Sequence, residues 1–327
     1  MIDLTDAAIR EPAAWTAHEL RADPSWAQQW SAGEIAEMHD LIVDGDAGRA
    51  SLLEARLDEL AQGLETERGL YVIGGMPIGE WSEAQVTRLA LWMGRRLGTP
   101  RGQNRQGDLV TMVRDVGADY VRDPQARGYM SSAELQPHTD GCDVTGLLCL
   151  AQARSGGATR IASSLAIFNH IREHEPELLE PLLLGLPFYV RDADGAGGRL
   201  IERPLPVYFE EAGFISACFN AKSVEVGAQM RGVPLSPLER SAVDRVAALA
   251  NDPEFCVELT LAPGQLLLFS NWTSFHSRTE FVDHDDPARK RCLLRLWIHS
   301  NYERPLPAWM AASARGGLGP QAERNAS

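Results

Sequence analysis

The spacing of apolar positions changes character near residue 107. Before that point Leu53, Leu57, Leu60 and Leu64 recur one helical turn apart and predict a helix with one buried face. Ser31-x-x-Glu34 and Ser51-x-x-Glu54 both read as capping boxes, in which a hydroxyl and a carboxylate satisfy free backbone N–H groups at a helix start. Ser82-x-x-Gln85 opens a further helix that runs to Leu97 and stops at Gly98. Between these helices, Gly69–Gly74 is a short strand bounded by glycines. After residue 107 short apolar segments alternate with turn residues, and Leu109–Arg114, Gly146–Ala151, Phe188–Arg191 and Gly213–Ala217 are expected strands. The clearest hairpin joins Phe255–Leu261 to Gln265–Ser270 through Pro263-Gly264. Helices interrupt this strand text twice. One is Ser164–His174, broken at Pro176 and followed by another apolar helical stretch. The other opens at Ser236-Pro237-Leu-Glu239 and continues to about Asn251. Many short strands with inserted helices predict a mainly β sandwich or barrel with flanking helices. One domain over 1–327 is expected, with a helical extension at 1–67, a core at 68–305 and a frayed tail at 313–327.

Composition narrows the function. A chain of 327 residues that is 44% hydrophobic and 23% charged can bury a core unaided, which excludes disordered, collagenous and coiled-coil classes. No apolar run approaches the ~20 residues a bilayer span needs. The acidic start Met1-Ile-Asp-Leu-Thr-Asp has no secretory signature. A net charge of −14 without a Lys/Arg-rich block argues against nucleic acid and anionic membrane as partners. Five scattered cysteines without a CxxC pair read as reduced, buried thiols of a cytoplasmic protein.

The chemistry concentrates in Pro137-His138-Thr139-Asp140. In an extended segment residues i and i+2 point the same way, so His138 and Asp140 can grip one ion. With eight histidines and 45 acids, about one H-x-(D/E) pair arises by chance; the second one present, His284-Asp285-Asp286, sits in polar loop text. Three further features single out the first pair. Ser155-Gly156-Gly157-Ala158-Thr159 is a glycine turn that delivers a threonine hydroxyl into a strand. His276 follows the strand Gln265–Ser270. The segment from Arg291 to Ile298 then puts Arg291, Leu293, Arg295 and Trp297 on one face and Cys292, Leu294, Leu296 and Ile298 on the other. Two guanidiniums on an otherwise apolar strand are costly unless an anion meets them. Two imidazoles and a carboxylate on one side of an ion leave three coordination positions open, the facial triad of non-haem Fe(II) oxygenases. Zinc accepts the same donors but leaves the arginines unexplained.

The ordered set His138-x-Asp140, Gly-Gly-x-Thr159, His276 and Arg291-x-x-x-Arg295 resembles the taurine dioxygenase-like Fe(II)/2-oxoglutarate-dependent oxygenases over roughly residues 68–300. The resemblance implies a double-stranded β-helix (jelly-roll) core with the metal at one mouth. It implies His138, Asp140 and His276 as iron ligands, Thr159 and Arg295 as anchors for the distal carboxylate of 2-oxoglutarate, and Arg291 near its C1 carboxylate. The implied reaction consumes O2 and 2-oxoglutarate, releases succinate and CO2, and hydroxylates a substrate C–H bond. The loop Ser277–Lys290 is somewhat longer than in the taurine enzymes, so the division of labour between the two arginines is open.

The substrate is expected to be a small organic molecule, with anionic character suggested by the locally basic text around Arg101, Arg105, Arg114, Arg122 and Arg127. Gln103, Asn104, Tyr129 and Trp272 are the candidate substrate contacts. A homodimer is left open. Two other readings stand beside the oxygenase: a cupin-like hydrolase or isomerase using Zn or Mn, and a non-catalytic sensor of Fe(II) and 2-oxoglutarate.

Overall fold

The computed structural model describes residues 8–44, 50–104, 106–118, 127–191 and 197–311. The expected tail at 313–327, Arg105 and Arg122 lie outside them. Eleven strands form two sheets. The larger holds β1 (Ala27–Gln29), β2 (Leu70–Gly74), β3 (Gly98–Pro100), β4 (Val110–Val113), β6 (Val144–Ala151), β9 (Leu266–Ser270) and β11 (Cys292–Ser300). Its order is β1-β2-β9-β6-β11-β3, with β4 also paired to β11. The smaller sheet holds β5 (Leu135–His138), β7 (Thr159–Ser163), β8 (Cys256–Leu259) and β10 (Ser274–Arg278), in the order β8-β7-β10-β5. All pairings in both sheets are antiparallel except β1 with β2.

The inner faces of the two sheets pack on each other. Leu70, Val72, Leu147, Leu267, Phe269 and Leu293 of the larger sheet share one buried cluster with Ile161 and Val257 of the smaller and with Ala17 and Leu20 of helix α1 (Ala17–Ala22). The larger sheet is buried on its other face too. There Ile73, Leu148, Leu268, Leu294 and Leu296 meet helices α2 (Ala32–Asp44), α3 (Ser51–Thr66) and α4 (Glu83–Leu97). Burial on both faces explains why β6 and β9 read as unbroken apolar runs rather than alternating ones. The smaller sheet is backed by α5 (Ser164–His174), α6 (Leu179–Leu184), α7 (Ala221–Arg231) and α8 (Pro237–Leu249), with Ala162, Phe275 and Cys256 turned toward them. The arrangement is the helix-flanked jelly roll expected from the sequence.

Local signals fared unevenly. The Ser31, Ser82 and Ser236 boxes close as read, each hydroxyl accepting from the backbone N–H three residues on. The Ser51 box does not form. α3 starts at Ser51 itself, and the carboxylate of Glu37 on α2 accepts from the N–H groups of Leu52 and Leu53 at 3.1 and 2.8 Å. A cap borrowed from a neighbouring helix leaves no trace in local spacing. The expected hairpin at Pro263-Gly264 is corrected as well: β8 pairs with β7 in the small sheet, whereas β9 pairs with β2 and β6 in the large one. The turn carries the chain across the sandwich, with Gly264 at φ +83° and a Cβ there only 2.2 Å from the Met76 carbonyl oxygen. Helix α7 was not foreseen at all.

Leu267 is fully buried between the sheets. Leu267→Ala is expected to lower unfolding free energy by about 2–5 kcal/mol, measured as a shift in denaturant midpoint at unchanged slope.

Candidate metal and cosubstrate site

His138 ends β5 and His276 lies opposite it in β10, as a directly paired residue in the antiparallel ladder. Pairing puts both imidazoles on the inner face, with ring centroids 4.1 Å apart. Asp140 follows two residues after His138. Its Oδ1 lies 3.9 Å from His138 Nε2 and its Oδ2 lies 3.7 Å from His276 Nε2. These separations are too long for hydrogen bonds. They suit one bridging ion, since two metal–ligand bonds of ~2.1 Å span at most ~4.2 Å. The three donors lie within 4.8 Å of one another, the only such cluster among the described residues.

The protonation states match ligation. Burial, reinforced by neighbouring His138, holds His276 down at about 3, so its ring is neutral. Burial alone would raise the Asp140 carboxyl, but His276, Arg295, His138 and the Trp297 N–H outweigh it and hold the group at about 2. Asp140 Oδ2 accepts from Trp297 Nε1 at 2.8 Å and from Thr145 Oγ1 at 3.1 Å. Its backbone N–H donates to Asn271 Oδ1 at 2.9 Å, and Asn271 Nδ2 donates to Thr145 Oγ1 at 3.0 Å. His138 Nδ1 lies 2.8 Å from the Gln136 carbonyl oxygen, which fixes Nε2 as its ligating atom.

The triad opens into a cavity of about 300 Å³ between the sheets. Thr159, Arg291, Arg295 and Tyr129 line it. The two arginines differ sharply in setting. Arg291 is 5% exposed; its Nη2 donates to the Gly157 carbonyl oxygen at 3.1 Å, and its Nη1 is buried without a hydrogen-bond partner. That bond brings the guanidinium to the chain two residues before Thr159. Gly157 has φ +75°, and a Cβ there would stand 2.8 Å from Arg291 Nε, so the glycine turn makes room for the arginine. Arg295 instead stands near the triad, where its charge acts on Asp140 and His276. Its guanidinium lies over the rings of Tyr129 at 4.9 Å and Trp297 at 4.5 Å.

Three candidate substrate residues sit elsewhere. Gln103 is buried behind Arg295 and does not line the cavity. Asn104 closes its own loop through Asp108, at 2.8 and 3.1 Å. Trp272 is packed against Phe209 and donates Nε1 to Asp143 at 2.9 Å. The polarity of these residues serves the loop and the core. Conversely, the cavity wall includes residues that sequence reading missed. Arg278 shares the inner face of β10 with His276, a period-2 signal that was available, and it donates to the carbonyls of Ser131 and Ala133 at 2.6 and 2.5 Å. Asn220, Lys222 and Ser223 arrive with the unforeseen start of α7, tied to the metal strand by the His138–Asn220 bridge. Asp283, read as part of a polar loop, accepts from the Arg291 backbone N–H at 2.8 Å.

A profile described as taurine catabolism dioxygenase TauD, TfdA family matches residues 40–297. The chain belongs to this family. FR-33289 synthase from Streptomyces rubellomurinus is 29% identical over 255 residues, 77% of this chain and 75% of the relative. Uridine-5'-phosphate dioxygenase from a Streptomyces species is 32% identical over 184 residues, covering 50% and 61% of the two chains. The crystal structure of asparagine oxygenase with Fe(II), hydroxyasparagine and succinate superposes with a TM-score of 0.66 at 18% identity, over 84% of this chain and 93% of that one. The protein is thus a 2-oxoglutarate-dependent dioxygenase that uses Fe(II), 2-oxoglutarate and O2. Membership overturns the hydrolase or isomerase reading. No helix among the described residues is long and apolar enough to cross a membrane.

Trp297→Phe removes the 2.8 Å bond to Asp140 while keeping an aromatic ring in place. Anaerobic titration with Fe(II) is expected to show metal affinity about 10- to 100-fold weaker, with thermal stability little changed.

Proposed function

We propose that the enzyme hydroxylates a C–H bond of a small organic anion, with Fe(II) held by His138, Asp140 and His276 and 2-oxoglutarate held by Thr159 and Arg291. The metal supplies the redox chemistry that couples decarboxylation of 2-oxoglutarate to C–H oxidation. The chain's own groups do the rest. Trp297 and Thr145 fix the orientation of the Asp140 carboxylate. The inner-face leucines, Leu147 and Leu293, keep the cavity dry.

The observation that carries the cosubstrate assignment is the buried, unpartnered Nη1 of Arg291, on a guanidinium that lines the cavity next to Thr159. A buried cation with a free donor is costly unless an anion meets it, and a terminal carboxylate fits. The assignment reverses the division expected from the sequence: Arg291, not Arg295, takes the distal carboxylate. Arg295 is left for an anionic group seated beside the metal ligands. The reversal follows from placement, since Arg295 stands beside Asp140 and His276, whereas Arg291 is tied to the Gly157 carbonyl and stands near Asp283 and the neutral thiols of Cys149 and Cys292.

The substrate's charge is inferred from the wall. Arg127, Lys222, Arg278, Arg291 and Arg295 line the cavity among the described residues, against Asp140 as the one carboxylate. Two-oxoglutarate meets Arg291, whose Nη1 has no hydrogen-bond partner, and Arg295 leaves a cation beside the metal ligands for a second anionic group. The relative that acts on uridine 5'-phosphate makes that compound the first to try. All five cysteines are free thiols, which supports a reducing cytoplasm as the site of action.

Anaerobic addition of Fe(II) and 2-oxoglutarate is expected to produce a visible charge-transfer band, and admission of oxygen to produce succinate. A band without turnover would identify a sensor, and no band would sink the site assignment. Arg291→Ala is expected to raise the 2-oxoglutarate Kd at least about 30-fold, the loss of ~2 kcal/mol or more for one half of a buried charge pair. A panel of phosphate esters, phosphonates, sulfonates and carboxylates should stimulate succinate release above matched neutral and cationic compounds. Equal stimulation by the latter would overturn the anionic substrate.

A further inference from the structure

Gln103 lies 192 residues from Arg295 in sequence, yet the two form a closed polar unit. Gln103 Oε1 accepts from Arg295 Nε at 2.7 Å. Its Nε2 donates to the backbone carbonyl oxygen of Arg295 at 2.9 Å and to that of Leu109 at 3.1 Å. The amide is only 4% exposed, and exchanging its oxygen and nitrogen would set donor against donor and acceptor against acceptor, so its orientation is fixed. The loop that carries it is itself closed, by Gln103 N donating to the Asp108 carbonyl oxygen at 3.0 Å and by the Asn104–Asp108 side-chain pair. On the other side the guanidinium lies over Tyr129 and Trp297. Nε is thus spent on Gln103, while Nη1 and Nη2 donate to no described residue and belong to a side chain that lines the cavity.

We propose that Gln103 is a positioning residue, whose amide aims the Nη edge of Arg295 at an anion bound beside the metal ligands. The inference rests on the site reading above. An unclamped arginine samples many rotamers; held at Nε and stacked on two rings, it presents a preorganised fork for a carboxylate-like group. That group has two sources, the metal-proximal carboxylate of 2-oxoglutarate or an acidic group of the primary substrate, and the two arms of the test tell them apart.

The first measurement needs no metal. Phenylglyoxal modifies accessible guanidiniums, and peptide mass mapping gives the rate at Arg295 alone. In metal-free protein, Gln103→Leu is expected to speed labelling of Arg295 several-fold over the parent rate. The second measurement uses the loaded protein. Gln103→Leu is expected to weaken by about tenfold either the anaerobic 2-oxoglutarate titration or the concentration dependence of the most stimulating anion in the panel, whichever source Arg295 serves. On an Arg295→Ala background the same change should cost nothing further, because it acts through the arginine. Unchanged labelling overturns the proposal, as do two unchanged affinities or a loss that adds in full to that of Arg295→Ala. Should the parent protein give no charge-transfer band, the site reading fails on its own account, and the labelling rates still decide the clamp.

Discussion

A carboxylate sealed inside a protein has to be answered by donors, and the geometry of this molecule follows from how Asp140 is answered. Its side chain faces two imidazoles, an indole N–H and a threonine hydroxyl. These come from β5, β10, β11 and β6, and Asn271 between β9 and β10 holds the backbone of the same residue. Five segments must therefore arrive together. Trp297 and Thr145 both donate to Oδ2, so the loss of either one loosens the carboxylate without leaving that oxygen unpaired, whereas the loss of both would leave a desolvated charge at a cost of several kcal/mol. The double-sheet architecture meets this demand because β6 and β11 are neighbours in one sheet and β5 and β10 are neighbours in the other. The cavity lies where the two pairs face each other.

The same sandwich explains why cations tolerate so apolar a wall. β11 alternates between a helix-facing side, with Leu294, Leu296 and Ile298, and an inner side, with Leu293, Arg295 and Trp297. The helix-facing side supplies hydrophobic stability independent of the inner one. That leaves the inner side free to carry charge whose partner comes from outside the chain. Arg291 shows the consequence most plainly, since a buried Nη1 without a hydrogen-bond partner is poorly placed until an anion arrives. Binding of that anion is thus linked to stability, because whatever binds the folded form alone raises its free energy of unfolding.

Much of this was legible in the sequence wherever the signal was local. The i, i+2 relation of His138 and Asp140, the parity of β11 and the capping boxes at Ser31, Ser82 and Ser236 each depend on residues a few positions apart. Family resemblance tied those fragments to His276 across more than a hundred residues. What escaped depends on partners that spacing does not encode. The cap of α3 comes from Glu37 on another helix. The Pro263-Gly264 turn looks like a hairpin because turn chemistry sets the reversal, whereas the sheet each flanking strand joins is decided elsewhere in the fold. Helix α7, Ala-Lys-Ser-Val-Glu-Val-Gly-Ala-Gln-Met-Arg, mixes small, charged and β-branched residues without a clear apolar stripe. With it were lost Asn220, Lys222 and Ser223 of the cavity wall.

The arginine pair and the residues before the first histidine fail in the same way, and the reason is general. Spacing places Arg291 and Arg295 on one strand face but does not say how far each side chain stands from the metal ligands. That distance is set by the bulge between Cys292 and Leu293, by the room Gly157 leaves and by the rings of Tyr129 and Trp297. Likewise, a polar residue near a metal motif is read as facing the ligand because polarity without a local partner suggests solvent or substrate. Gln103 spends its amide on Arg295, on a strand 192 residues away, and on the Leu109 carbonyl, so it looks unspent in sequence and is fully spent in structure. A side chain so committed bears on the site only through the group it holds. The chemistry then passes to Arg295, which keeps two donors in reserve because Gln103 has taken the third.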